Sequence, residues 1–507
     1  MRRRHALSLM ALSPLLVVSC RSFQAEAGFE RPAELTATAT AQAVPTPKPQ
    51  LGWLSFIRGG DVWVKQLPDG AAKRLTNDGR NNEPRWSASG EWLAFRKSDQ
   101  VKGDQVWLVR SDGSDAAPVD NGVIVTEFAW SPVEDLLAHT ETGGTLRLAK
   151  PEIPRERELV SHQGVVFQGT GVNAFVWSPD GMWIAYEWVE SPANVTQAVQ
   201  EVKRQAQSGA GSPFVQEIRR IRVDGSESRV VQINRGSERD YLADWTPDGQ
   251  WLLAWHGSNS GSVRAWGLPL EALPLTGSRQ VQIASKMLTH QDFLSWSPDG
   301  KRLALVDGDR SETWENKSIA IATLAAGIHQ ISGSSRADLF PRWSPDGHWI
   351  AFTSAPAEPG VGGNGPVKQA MAQRKIWLMR PGGAGKRQLT NDATFRDERP
   401  EWSANGDYIL FARLHEDQAQ LWLMRADGSE LRQVVEELTP SPGIMGYFGY
   451  IDWSQLYDWW IASPQPTAPD GSTPTPTARA TPAPATTVTT QSATGNSFIA
   501  YHDVARV

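Results

Sequence analysis

Trp177-Ser178-Pro179-Asp180-Gly181, then Met182 and the apolar run Trp183-Ile184-Ala185-Tyr186, is the stretch that decides the fold. Ser-Pro-Asp-Gly is a tight-turn sequence, because Pro presets φ, Asp bonds back to the backbone and Gly takes the strained position. The short apolar run that follows reads as a strand. Upstream the unit recurs as Trp86-Ser87-Ala88-Ser89-Gly90 and Trp130-Ser131-Pro132. Downstream it recurs as Trp245-Thr246-Pro247-Asp248-Gly249, Trp296-Ser297-Pro298-Asp299-Gly300, Trp343-Ser344-Pro345-Asp346-Gly347 and Trp402-Ser403-Ala404-Asn405-Gly406. A worn eighth copy reads Trp453-Ser454, and the spacings run from about 44 to 68 residues.

A period of that length signals repeated sheet units rather than a short-period solenoid. After the second strand, a third is read in Val106-Trp107-Leu108-Val109, Ile376-Trp377-Leu378-Met379 and Leu421-Trp422-Leu423-Met424. These runs lead into the Asp-Gly turns at Asp112-Gly113 and Asp427-Gly428; Asp224-Gly225 is a third such turn. Arg74-Leu75-Thr76 and Gln388-Leu389-Thr390 suggest a fourth strand. Four short antiparallel strands per repeat make a propeller blade. The fold class is therefore all-β: a β-propeller of four-stranded antiparallel blades, eight in number with seven as the alternative. The strands between Trp53 and Thr76 precede the first motif Trp and lack an inner strand of their own. The segment near Ile451-Asp452-Trp453 is expected to supply it, so that N- and C-terminal strands close the ring. The motif Trp residues are expected to pack between adjacent blades. Two copies depart from the pattern, the second with Val133-Glu134-Asp135 in place of Asp-Gly, and the eighth.

These motifs resemble the TolB-type β-propeller repeat, a WD-repeat-like motif common in bacterial envelope proteins and present in propeller domains of some peptidases. The resemblance covers roughly Leu51 to Ala462. It specifies a fold and leaves the function open.

The chain has 507 residues and begins with an address. Arg2, Arg3 and Arg4 form a basic start, and Ala6 to Val18 is mostly apolar but short for a bilayer span. Val17-Val18-Ser19-Cys20 resembles the bacterial lipobox, in which the Cys thiol receives diacylglycerol and becomes the new N-terminus; the alternative is a plain signal peptide. Cys20 is the chain's single cysteine, which excludes an intramolecular disulfide framework. The resulting division is a lipoprotein signal peptide at 1–20, an Ala/Thr/Pro-rich tether at 21–50, the propeller at 51–462, a Pro/Thr-rich linker at 463–496 and a short tail at 497–507. The tail run Phe498-Ile499-Ala500-Tyr501-His502 echoes a strand. Two insertions interrupt the period. Ser191 to Ser212 spaces Val195, Val199, Val202 and Ala206 as an amphipathic helix, and Ala355 to Arg374 reads as a Gly/Pro-rich loop.

There are 50 Lys and Arg against 56 Asp and Glu, a formal net charge of −6, which offers no general attraction to nucleic acid. Catalytic signatures are not intact: Gly257-Ser258-Asn259-Ser260-Gly261 places Asn where a nucleophile belongs, and His415-Glu416 stands without a second His. The nine His show no ligand spacing, so no metal and no cofactor is expected. Polar clusters just before several motif Trp residues are expected near the channel mouth. Asp240, Asp292, Asp338 and Asp397, with Arg80, Arg239, Arg336 and Arg396 beside them, are the candidate contact residues. The expected function is a lipid-anchored, extracytoplasmic, monomeric interaction module of the bacterial cell envelope. It would bind an envelope protein or peptide without catalysis. A glycan- or small-ligand-binding propeller is the alternative, with Trp188, Trp255, Trp266, Trp314, Trp459 and Trp460 as possible stacking surfaces. A lyase or hydrolase working in the channel is the third reading.

Overall fold

The computed structural model describes residues 50–461, apart from 100, 102, 120–123, 162–169, 191–199, 201–214, 236–237, 259–266, 278, 334, 361–364, 441–445 and 447. The signal peptide with Cys20, the tether, the linker, the tail, Trp266 and nearly all of the Ser191–Ser212 insertion lie outside the described residues. Among the described residues no helix is long and apolar enough to cross a membrane.

Each motif Trp ends a strand, and the residue paired with it on the next strand is always Leu or Ile. The pairs are Trp86 with Leu93, Trp130 with Leu137, Trp177 with Ile184, Trp245 with Leu252, Trp296 with Leu303, Trp343 with Ile350 and Trp402 with Ile409. Between them the turn is tied by its own side chains. In the third copy the Ser178 hydroxyl donates to Asp180 at 2.5 Å and accepts from the Trp183 N–H at 2.9 Å, while Gly181 sits at φ 67°. A β-hydroxyl can do both at once, which explains Ser or Thr at this position. The divergent second copy keeps its register without Asp-Gly. Its Asp135 turns to the preceding blade and accepts from the Ser89 N–H and hydroxyl at 3.1 and 2.6 Å.

Among the described residues the strands form eight four-stranded antiparallel blades. Their inner strands are Tyr457–Trp460 (blade one), Asn81–Trp86, Val125–Trp130, Gly171–Trp177, Glu238–Trp245, Leu294–Trp296, Arg336–Trp343 and Arg396–Trp402 (blade eight). Blades five and six are joined into one sheet by a single pair, Met287 with Asp307. Each blade nevertheless has its own inner strand and motif. Apolar clusters fill the space between blades rather than one central core. The indoles also stitch neighbours together: Trp130, Trp177, Trp245 and Trp402 each donate Nε1–H, at 3.1–3.2 Å, to the carbonyl just before the preceding blade's motif Trp.

Ring closure follows the expected logic, with a shifted register. Blade one takes Trp53–Arg58, Asp61–Gln66 and Lys73–Arg74 from the N-terminal side and Tyr457–Trp460 as its inner strand. Trp459 pairs with Leu54, so Trp459 stands where the motif Trp stands elsewhere. The Trp453-Ser454 copy is therefore corrected. Trp453 opens a 3-10 turn, Trp453–Gln455, and its buried indole donates to Glu398 at 3.2 Å. The register is set by Trp53-Leu54-Ser55-Phe56, whose pattern matches the second strands of the other blades, and not by the Trp-Ser identity.

The Ala355–Arg374 insertion is also corrected. It contains a helix, Gly365–Ala372, with Val367, Ala370 and Met371 buried. The spacing of three and four places those side chains on one face. Val367 and Met371 pack on the buried Trp314 of the blade-six loop.

Candidate channel-mouth site

The inner strands do not run straight to their motif Trp. Register shifts interrupt them between Asn82 and Arg85, Leu339 and Arg342, and Glu398 and Glu401. At these bulges Glu83, Phe340 and Arg399 adopt φ of 52°, 53° and 51°, and each precedes a Pro. Pro has no N–H to give a ladder, so it suits the place where pairing is broken. A non-Gly residue with positive φ stores strain that the surroundings must hold.

In blade eight the bulge aims Arg399 away from its own sheet. Its Nε lies 3.3 Å from Asp292 of blade six, its Nη1 lies 2.7 Å from Glu401, and its guanidinium lies 4.9 Å from the Tyr457 ring of blade one. Arg342 of blade seven donates to Asp292 at 2.7 Å, and the Tyr450 hydroxyl donates to the same carboxylate at 3.1 Å. Burial by itself would raise the Asp292 pKa. The Arg399 and Arg342 guanidinium groups outweigh it and hold the carboxyl well below the usual range. Burial, with the Asp292 charge, pushes the Tyr450 hydroxyl far above its ordinary value.

A second ion cluster ties down the segment that returns from blade eight to the closing strand. Buried Glu398 meets Arg374 and, at 2.5 Å, Arg396, both also buried. Arg374 donates to the Gly449 carbonyl at 2.8 Å and to the Thr313 hydroxyl at 2.7 Å. Burial brings Arg396 down to about 10, and the two guanidinium groups hold Glu398 low against its own burial.

The candidate residues fall into register classes that the sequence left unaligned. Asp240, Asp338 and Asp397 each sit five residues before a motif Trp, and Asp292 sits four before. Asp240, Asp338 and Asp397 are fully buried. Asp338 is braced by Lys386 at 3.1 Å and by the Ser354 hydroxyl, and Asp397 takes Arg413 at 2.6 and 3.0 Å. Asp240 meets His256 at 2.8 Å. Arg396 belongs to the Glu398 cluster, Arg239 is buried and donates to the Glu238 carbonyl, and Arg336 donates to Ser354 at 2.7 Å. Arg80 is the exposed member of the set. These placements do not make an open ring of eight groups. All but Arg80 are buried or half-buried, and most of them are paired inside the fold. Of the possible stacking residues, Trp255, Trp314 and Trp459 are buried, while Trp188 and Trp460 are half-buried.

Sequence reading did not single out Arg342, Arg374, Glu401 or Tyr450. The available signal was the shared X-Pro-X-Trp ending of Glu83-Pro84-Arg85-Trp86, Phe340-Pro341-Arg342-Trp343 and Arg399-Pro400-Glu401-Trp402.

Asp244, just before the motif Trp of blade five, accepts from the Trp245 N–H at 2.8 Å and faces the Trp296 indole. Burial lifts its pKa to about 6. A raised carboxylate pKa favours the folded state below the unfolded value near 3.8, and that advantage is lost as pH rises through about 6. Asp244→Asn keeps the acceptor and removes the charge. It is expected to stabilise the protein by about 1–3 kcal/mol at pH 7.5 and to match the wild type below pH 4, read from denaturation midpoints.

No family model matches the chain. An uncharacterized protein of Agrobacterium fabrum is 27% identical over 190 residues, 36% of this chain and 57% of that protein. The chain thus spans little more than half the length of this curated relative. A TolB-type protein of Agrobacterium tumefaciens is similar in structure, with 18% identity, a TM-score of 0.31, and coverage of 55% of this chain and 84% of that one. The oligogalacturonate lyase of Vibrio parahaemolyticus gives 13% identity and a TM-score of 0.42, over 72% of this chain and 94% of the lyase. A puromycin-hydrolyzing peptidase of Mycobacterium tuberculosis gives 12% identity and a TM-score of 0.48, over 78% of this chain and 58% of the peptidase.

Proposed function

We propose that the protein is a lipid-anchored, extracytoplasmic interaction module that binds an envelope protein or peptide at the channel mouth without catalysing a reaction. The observation that carries this reading is a braced set of side chains. Asp292, Arg342, Arg399, Glu401 and Tyr450 neutralise and position one another across blades six to eight. Groups consumed in this way are poor acids, bases or nucleophiles, but they hold the surrounding rim in one shape. A preformed rim spares a partner the cost of ordering it. The exposed rim charges Arg80 and Glu127, at the inner-strand starts of blades two and three, are where such a partner is read.

The test is an in-cell crosslinking pull-down on the membrane fraction with the full chain, with Arg80→Glu/Glu127→Lys, and with Cys20→Ser. The reading expects one envelope protein or peptide captured by the wild type and reduced at least fivefold by the charge reversals, which leave the buried braces intact. It also expects Cys20→Ser to leave the membrane fraction. Identical capture by wild type and charge-reversal variant overturns the site, and membrane retention of Cys20→Ser overturns the anchor.

A further inference from the structure

The buried aspartate five residues before the motif Trp has a permanent cation in two blades and not in a third. Asp338 and Asp397 have Lys386 and Arg413. The second-strand residues paired with the three aspartates are Ser354, Arg413 and, for Asp240 of blade five, His256. Here the imidazole faces a second carboxylate as well, from Glu271 on the third strand. One ligand atom from each of Asp240, His256 and Glu271 lies within 4.8 Å of the others. Three adjacent strands thus present two carboxylates and one imidazole on one side of a rigid sheet.

We propose that Asp240, His256 and Glu271 form a binding site for a first-row divalent cation, of the class for which Zn2+ is the probe. A mixed imidazole and carboxylate set suits such metals, whereas Ca2+ prefers oxygen ligands alone. Donors bound at about 2.1 Å in a tetrahedral site lie about 3.4 Å apart. The His256 Nδ1 and Asp240 Oδ1 atoms are 2.8 Å apart, somewhat closer than that spacing, and a Glu271 oxygen lies within 4.8 Å of both.

The surroundings have what a metal site needs beyond its ligands. Asp240 is held by Asn234 Nδ2, which donates to Oδ2 at 2.9 Å and leaves Oδ1 turned to His256. Its backbone is clasped by Gln216, which accepts from the Asp240 N–H and donates to its carbonyl, each at 2.8 Å. Glu271 accepts from Gln280. Such outer partners fix ligand orientation and affinity. The His256 side chain is 33% exposed, so an ion and its remaining water ligands have an entry path. Two carboxylates gathered round one imidazole bring more negative charge than the imidazole can offset, and a dication balances it.

The test uses the untagged full chain after chelator treatment and dialysis, titrated calorimetrically with Zn2+ alone at pH 7.5. The proposal expects one equivalent bound with a dissociation constant of 10 μM or tighter and a melting temperature that rises with Zn2+ but not with Mg2+. His256→Gln and Glu271→Gln are each expected to weaken binding at least tenfold, and Glu271→Gln is expected to keep the wild-type melting curve without metal. Both change half-exposed side chains and spare the buried Asp240. Binding of less than 0.2 equivalents by the wild type overturns the proposal. Stoichiometric binding that survives both variants also overturns it, because the ion then sits elsewhere. A melting temperature that falls in His256→Gln without metal, with no Zn2+ response in the wild type, would leave His256 as an ion-pair partner of Asp240 only.

Discussion

Glu398→Gln is expected to destabilise the protein by about 3–5 kcal/mol, because it leaves two guanidinium groups without their counter-charge. Arg374 and Glu398 are fully buried and Arg396 is nearly so. Gln keeps the size and much of the hydrogen bonding, so the loss reports charge rather than shape. The damage is expected to localise. Arg374 also holds Gly449 and Thr313, and Trp453 donates to Glu398, so the segment leading into the closing strand loosens first. Denaturation midpoints give the magnitude, and limited proteolysis reads the opening between Phe448 and Leu456. The pH dependence has a definite sign. Glu398 has a depressed pKa, so its contribution is complete above the unfolded value near 4.5 and is lost as pH falls through the folded one. The gap between wild type and Glu398→Gln is therefore expected to hold from neutral pH down to about 4.5 and to close in stronger acid. A variant that melts like the wild type at pH 7 would refute the brace.

Removal of the chain from Leu456 onward is expected to have the largest effect of all. It strips blade one of its inner strand and leaves the Trp53–Arg58 edge unpaired. Buried Tyr457 and Trp459 leave with it, as does the bond from the Trp459 indole to the Leu51 carbonyl at 2.8 Å. Replacement of one buried Trp by Ala alone costs about 3–5 kcal/mol. Loss of the whole strand also opens a ring in which each blade is covered by its neighbours. We expect the truncated chain to be recovered insoluble or to melt without a cooperative transition. Trp459→Ala is expected to fold with a lowered midpoint. A chain ending at Ile461 is the control for loss of the residues beyond the strand. A soluble, cooperatively melting protein lacking residues from Leu456 onward would show that this strand does not close the ring.

The propeller was legible because its signals are local. Ser-Pro-Asp-Gly specifies a turn within five residues, and the Trp-Ile-Ala-Tyr type of run specifies the strand after it. Repetition then multiplies a weak signal into a fold. The eight blades and the joint contribution of both ends to blade one follow from counting strands before the first motif. The register of the closing strand was not legible in the same way. Trp453-Ser454 matches the motif in letters, but Trp459 matches it in space, because pairing with Leu54 is a contact across more than 400 residues. The helix Gly365–Ala372 was hidden for a related reason. Its apolar side is short, and burial against Trp314 of another blade supplies what eight residues cannot supply alone.

The sequence by itself determined the repeat, the blade architecture, the closure by both termini and the clustering of charge before the motif Trp residues. Each of these depends on residue type and spacing along the chain. Only the tertiary structure decided what those charges do. Asp240, Asp338 and Asp397 share a register position and read alike, yet one meets His256 and Glu271, one Lys386 and one Arg413. Asp292 differs by a single position and reaches a guanidinium two blades away. The physical reason is that a carboxylate's role is set by the counter-charge within a few ångströms. In a ring of blades that counter-charge comes from strands far apart in sequence.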